Sequence, residues 1–150
     1  MTRPTWDAHW LAAAHLASEM STCASGRRVG AVAVADGRQI ATGFNGVATG
    51  SPHPQMCLRR LEGLPSGADP HRCGCQHAEA NVVSNAARHG AQLQGATVYV
   101  TCQPCSTCMG QLANAGVRAV IYEGDYPDAQ ALRIAEFAGI EVRRIEPCPD

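Results

Sequence analysis

A chain of 150 residues that is 45% apolar can bury about two-thirds of its unfolded surface without cross-links. Its formal net charge of −1 leaves no broad basic face to neutralise a run of phosphates, so no polynucleotide partner is expected. No apolar run approaches the roughly 18 residues of a membrane span, and MTRPTWDAHW has no signal-peptide pattern, so no membrane partner and a cytoplasmic location are expected.

Residues 5–21 repeat apolar side chains at helical spacing (Trp6, Trp10, Ala13, Ala14, Ala17, Met20), which predicts an amphipathic helix with both tryptophans in the core and His9 and His15 outside. Residues 29–34 and 39–44 read as strands, and Asp36-Gly37 between them is a strong hairpin turn, so the pair is expected to be antiparallel. Residues 46–76 are rich in Gly, Pro, Ser and His without a period. That is too long for an ordinary connection and points to a functional or metal-pinned loop. A helix over 77–89 stops at Gly90, a strand follows at 96–101, and a helix over 105–115 stops at Gly116. A strand at 117–122, a helix over 128–138 stopped by Gly139, and a strand at 140–145 complete the order. Helices that alternate with strands after an opening hairpin predict a layered α/β domain whose later strands are parallel. No linker or low-complexity tract divides the chain, so residues 1–150 are expected to form one domain.

Eight cysteines in a chain expected in a reducing compartment suggest metal rather than disulfides. Cys105 and Cys108 lie three apart on the first turn of a predicted helix, where the positive end of the dipole favours thiolates. Alone, that pair fits a dithiol switch or a structural metal as well. His77 opens another predicted helix, and in parallel α/β units successive helix starts meet at one sheet edge. Three N/S ligands then leave a fourth tetrahedral position for water, the pattern of catalytic rather than structural zinc. Glu79, two residues beyond the histidine, is placed to face that position and move protons there. His-x-Glu followed by a strand and Pro-Cys-x-x-Cys is the zinc-deaminase signature.

With HAEANVV at 77–83, PCSTC at 104–108, RRVGAV at 27–32, TGFNG at 42–46, PSG at 65–67 and GATVYVT at 95–101, the chain resembles the cytidine and deoxycytidylate deaminase family, and within it the deoxycytidylate branch. The resemblance implies a three-layer α/β/α sandwich around a five-stranded mixed sheet, zinc on His77, Cys105 and Cys108, and Glu79 as proton shuttle. The implied reaction is hydrolysis of dCMP to dUMP and ammonia, on a small nucleotide, in a homo-oligomer. The alternatives are a deaminase of a free base, a nucleoside or a modified cytosine nucleotide, or an inactive zinc-stabilised binding protein. Asn45 matches an asparagine that contacts sugar in many deaminases, and the Ala78 backbone amide suits the pyrimidine carbonyl. Arg88 matches a position that reaches a neighbouring subunit's phosphate, Arg27 and Arg28 are further phosphate candidates, and Tyr126, four residues after Tyr122, matches an aromatic that closes over the nucleotide. Some relatives carry a second, structural zinc; the preferred ligands here are Cys23, Cys57, His71 and Cys73, with Cys75 or His53 able to replace a member. Cys102 and Cys148 read as ordinary thiols.

Overall fold

The Thr5 hydroxyl accepts from the Ala8 amide at 3.2 Å and starts helix α1, Trp6–Ser18, in a computed structural model that describes residues 2–65 and 68–146. Cys148 lies outside those residues. Strands β1 (Gly30–Ala35) and β2 (Arg38–Phe44) form the expected hairpin, with Asp36 and Gly37 both at positive φ, +51° and +69°. Two left-handed residues in succession make the tight turn whose twist matches the strands it joins.

The long loop acquires its own short elements: β3 (Gly46–Val47), α2 (Leu58–Leu61), a 3-10 turn at Pro70–Cys73, and β4 (Cys75–Gln76), which pairs antiparallel with β3 and closes the loop on itself. The chain then continues through α3 (Ala78–His89), β5 (Thr97–Cys102), α4 (Ser106–Asn114), β6 (Ala119–Gly124), α5 (Ala129–Ala138) and β7 (Glu141–Arg144). The five longer strands make one sheet in the order β2-β1-β5-β6-β7, in which β1 is antiparallel to both neighbours and β5, β6 and β7 run parallel. It is the mixed sheet that the resemblance implies.

Both faces of this sheet are covered, and the alternation along β1 divides the core. Val32 and Val34 face Leu11 and Ala14 of α1, while Ala31 and Ala33 face the layer of α3, α4 and α5 through Val82, Met109 and Leu112. Parallel strands buried on both faces are apolar throughout, as VYV of β5 and AVIY of β6 show.

Of the two tryptophans expected in the core, Trp6 is not there and Trp10 is so only in part. Trp6 is 57% exposed and stacks on Trp10, with the Arg3 guanidinium 5.1 Å from its ring; the residues that α1 buries are Leu11, Ala14 and Ser18. Close packing explains this: a Cβ on Gly30 would come within 2.0 Å of the Ala14 carbonyl oxygen. A helix lying so near the strand has room for small side chains on its inner face, so the Trp6 indole is left exposed while Trp10 packs, partly buried, at the edge of the cluster around Leu11 and Ala14.

The same device positions α3. A Cβ on Gly43 would meet the Ala78 carbonyl oxygen at 2.2 Å, so glycine allows the first turn of α3 to lie directly on β2. Asn81 and Asn85, one helical turn apart, then donate to the Phe44 and Thr42 carbonyls at 2.8 and 2.7 Å. These bonds fix the rotation of α3 against the sheet.

Candidate functional site

His77 and Cys105 hold equivalent places. Each is the N-cap of its helix, His77 of α3 and Cys105 of α4, with extended backbone at φ −74°, ψ 157° and φ −73°, ψ 168°. Cys105 also caps through its side chain, its sulfur accepting from the Cys108 amide at 3.5 Å. The His77 Nδ1 atom is 3.5 Å from the sulfur of Cys105 and 3.5 Å from that of Cys108, and the three ligand atoms all lie within 4.8 Å of one another. Two donors held at 2.0–2.3 Å by one tetrahedral ion are about 3.5 Å apart. One imidazole and two thiols at that separation fit zinc.

The electrostatics suit the same use. A hydrogen bond from Cys108, and then one from His77, hold the Cys105 thiol down to about 4, while sharing a site with Cys105 keeps Cys108 well above the ordinary thiol range. The hydrogen bond to Cys105 raises His77. Glu79, on the first turn of α3, is 3% exposed, and burial pushes its carboxyl up to about 7, opposed by its own backbone amide and by His77.

The starts of α4 and α5 are joined by Asp128, which the sequence did not single out. Its carboxylate accepts from the Ser106 amide at 2.7 Å and from its own helix at Ala131, and its carbonyl accepts from the Gln103 side chain at 2.9 Å. Helix α4, which carries both cysteines, is thus tied to α5 at its first residue.

His77, Glu79 and Cys105 line a cavity of about 270 Å³, and Ala78, Asn45, Arg27 and Tyr126 line it as well. The Asn45 amide is already engaged: its oxygen accepts from the Ser21 hydroxyl at 2.7 Å and the Val29 amide at 2.8 Å, and its nitrogen donates to the Arg27 carbonyl at 2.8 Å. It ties residues 21–29 to the end of β2, and one amide proton remains beyond the bond to Arg27. The Arg27 guanidinium donates to the Cys102 sulfur at 2.9 Å and the Asp125 carbonyl at 3.1 Å, and lies 5.4 Å from the Tyr126 ring centre. Arg28 is exposed, reaches the Glu19 carbonyl at 3.5 Å, and is not among the lining residues. Arg88 is exposed in the last turn of α3, ten residues from Ala78 and so about 15 Å along the helix. Arg59 and Arg60 line the cavity, as does Cys102. The sequence signal for the two arginines was their place two and three residues after Cys57, inside the loop that the cysteines suggested was pinned.

A second thiol group borders the same cavity. The Cys23 and Cys73 sulfurs are 3.4 Å apart, Cys57 is 3.5 Å from Cys73, and Cys75 joins Cys23 and Cys73 within 4.8 Å. The ligand atom next to Cys23 and Cys73 therefore comes from Cys75 and not from His71, which is exposed; His53 is exposed too. Geometry accounts for the exchange. At three residues per turn, His71 lies about 120° around the 3-10 turn from Cys73, whereas Gly74 at φ +72° reverses the chain and returns Cys75 to the cluster. Burial, then Cys23, pushes Cys73 up to about 11 and Cys75 above the usual thiol range; Ser25 holds Cys23 below it, against burial.

The family model described as "Cytidine and deoxycytidylate deaminase zinc-binding region" matches residues 4–123. The deoxycytidylate deaminase of Mycobacterium phage D29 is 39% identical over 127 residues, covering 81% of this chain and 97% of that protein. The deoxycytidylate deaminase of Saccharomyces cerevisiae is 36% identical over 150 residues, covering 96% of this chain but only 46% of the yeast protein. Among solved structures, dCMP deaminase from the cyanophage S-TIM5 in complex with dCMP and dUMP superposes with a TM-score of 0.80 at 27% identity, covering 97% of this chain and all of that one. With the sheet order, the two helix starts that converge on three N/S ligands and the buried glutamate beside them, these matches establish that the chain belongs to the cytidine and deoxycytidylate deaminase family.

Proposed function

We propose that the protein is a zinc-dependent hydrolase that converts dCMP to dUMP and ammonia. The observation that carries this is the buried Glu79 beside His77, Cys105 and Cys108 on the wall of a cavity of about 270 Å³. The relatives named deoxycytidylate deaminase support the choice of nucleotide.

His77, Cys105 and Cys108 would hold the zinc, which supplies the Lewis acidity that makes a water nucleophilic near neutral pH. Glu79 takes a proton from the attacking water and delivers it to N3 of the pyrimidine, which draws electrons from C4 as the C–O bond forms there. Glu79 then takes the proton of the new C4 hydroxyl and hands it to the exocyclic amine; the C4–N bond breaks as the C4 carbonyl forms, and ammonia departs. Burial favours the protonated form of this carboxyl, as a group that hands protons on requires. The Ala78 amide, at the unpaired start of α3, donates to the C2 carbonyl and orients the ring. The remaining Asn45 proton serves the sugar, and Tyr126, with Arg27 against it, flanks the nucleotide.

Cys23, Cys57, Cys73 and Cys75 form a second, structural zinc site in this reading, with thiolate ligands throughout; it gives the long loop a fixed shape beside the cavity. Arg88, at the far end of α3 from Glu79, enters only through a second copy of the chain in a homo-oligomer. No helix among the described residues is long and apolar enough to cross a membrane. The seven cysteines described as free thiols suit the reducing cytoplasm, where we place the enzyme.

The test is a substrate panel. Zinc-loaded protein is given cytosine, cytidine, deoxycytidine, CMP and dCMP, and loss of the amino chromophore is followed. The expected result is a kcat/KM for dCMP at least about 100-fold above that for deoxycytidine, the scale set by a few charge-assisted hydrogen bonds. Equal efficiency on deoxycytidine and dCMP would sink phosphate recognition.

A further inference from the structure

We propose that Arg59 and Arg60 form, with Arg27, the wall of the cavity that recognises the 5′-phosphomonoester. They are carried on the short α2 turn that Cys57 starts. The proposal rests on the reading that the substrate is a pyrimidine nucleotide, and it names the residues that distinguish nucleotide from nucleoside.

Three arginines line this cavity, and among the described lining residues Glu79 is the one carboxylate. A chain with a net charge of −1 has thus gathered positive charge at one place. Among the described residues, no carboxylate lies within ion-pair distance of Arg59 or Arg60, and the nearby Glu62 is taken by Arg72 at 2.7 Å. Arg59 and Arg60, side by side on one short turn with no carboxylate partner among the described residues, make an arrangement suited to a ligand with two negative charges.

Arg59 is held by the loop, and Arg60 lies close to Arg27 in the fold. The Arg59 side chain is half-buried, its Nε donating to the Ala68 carbonyl at 2.9 Å and its Nη2 to the Pro65 carbonyl at 2.7 Å. The Arg60 guanidinium lies over Gly26, where an added Cβ would be 3.4 Å from Nη2. Gly26 directly precedes Arg27, so two arginines from distant parts of the sequence meet at one rim. Burial raises the Tyr126 hydroxyl, and Arg59 and Arg27 both act against that rise, so both fields reach the ring that borders the cavity. The α2 turn that carries Arg59 and Arg60 is anchored at Cys57, directly before it, which is 3% exposed and packed 3.5 Å from Cys73. The thiol cluster therefore serves recognition: it holds the loop that presents the guanidiniums, which can grip phosphate oxygens bidentately.

The test compares kcat/KM for dCMP and for deoxycytidine in zinc-loaded wild type, Arg60→Gln and Arg59→Gln, with zinc content measured on each. Inhibition by inorganic phosphate against dCMP is the binding readout. Arg60→Gln is the primary variant, because Arg59 also holds two loop carbonyls. The expected result is a fall of about 10- to 100-fold in the ratio of the two efficiencies, carried by KM for dCMP, with zinc retained and inhibition by phosphate weakened. A wild type that prefers dCMP, with the ratio unchanged in both variants, would overturn the proposal and leave the substrate reading standing. Loss of zinc with both efficiencies falling together would overturn it too, by showing that the arginines offset the charge of the thiolate cluster. A wild type with no preference for dCMP would instead remove the substrate reading itself.

Discussion

Asp128 shows how one side chain can set the geometry of a site that it does not enter. Its carboxylate caps α5 and receives the Ser106 amide, so the helix that carries Cys105 and Cys108 is held by a residue about twenty positions further on. A charged oxygen at a helix start satisfies amides that would otherwise be unpaired and opposes the positive end of the dipole. Asp128→Ala is expected to cost about 1–2 kcal/mol of stability in a denaturant titration and to weaken zinc retention against a chelator. Unchanged stability would show that Ser106 and Ala131 find other acceptors. The cap also lowers Asp128 below its usual range, because the amides it receives outweigh the burial that acts against them.

At the scale of elements, the glycines decide how closely helices approach the sheet. Gly43→Ala would set a methyl group 2.2 Å from the Ala78 carbonyl oxygen, a backbone atom that cannot swing aside. The start of α3 must then lift from β2, taking His77 and Glu79 with it. A loss of about 1–3 kcal/mol by thermal or denaturant unfolding is expected, with a larger relative loss of dCMP turnover; a variant as stable and as active as wild type would contradict that packing. Much of this was legible in the sequence, because Asp36-Gly37, Gly90, Gly116 and Gly139 punctuate it where elements turn or stop. The convergence of His77 with Cys105 and Cys108 was legible from two motifs at helix starts. What periodicity could not reveal was depth: the same spacing that marks α1 as amphipathic does not say that Gly30 draws it too close for Trp6 to lie beneath, while Trp10 packs only partly buried against the core. Nor could composition distinguish His71 from Cys75, since a left-handed glycine at position 74 decides which side chain returns to the cluster. Arg59 and Arg60 reach the cavity only through the folding of that same loop.

Taken as a whole, the molecule is an α/β/α sandwich with an irregular loop in which Cys57, Cys73 and Cys75 gather with Cys23. A loop of some thirty residues with few apolar anchors has little to offset its conformational entropy, and the zinc site proposed on these thiols would hold it at three points along the chain. Elemental analysis is expected to find two zinc ions per chain, falling to one in Cys73→Ser together with a lower Tm. One zinc in the wild type would count against the second site. The central claim concerns the other group, where Glu79 acts on protons without holding the metal. Steady-state turnover of dCMP by wild type and Glu79→Gln, compared at equal zinc content, tests it most directly. The variant is expected to keep its zinc and to lose at least about 100-fold in kcat; near-normal turnover at full zinc loading would show that Glu79 is not the proton carrier.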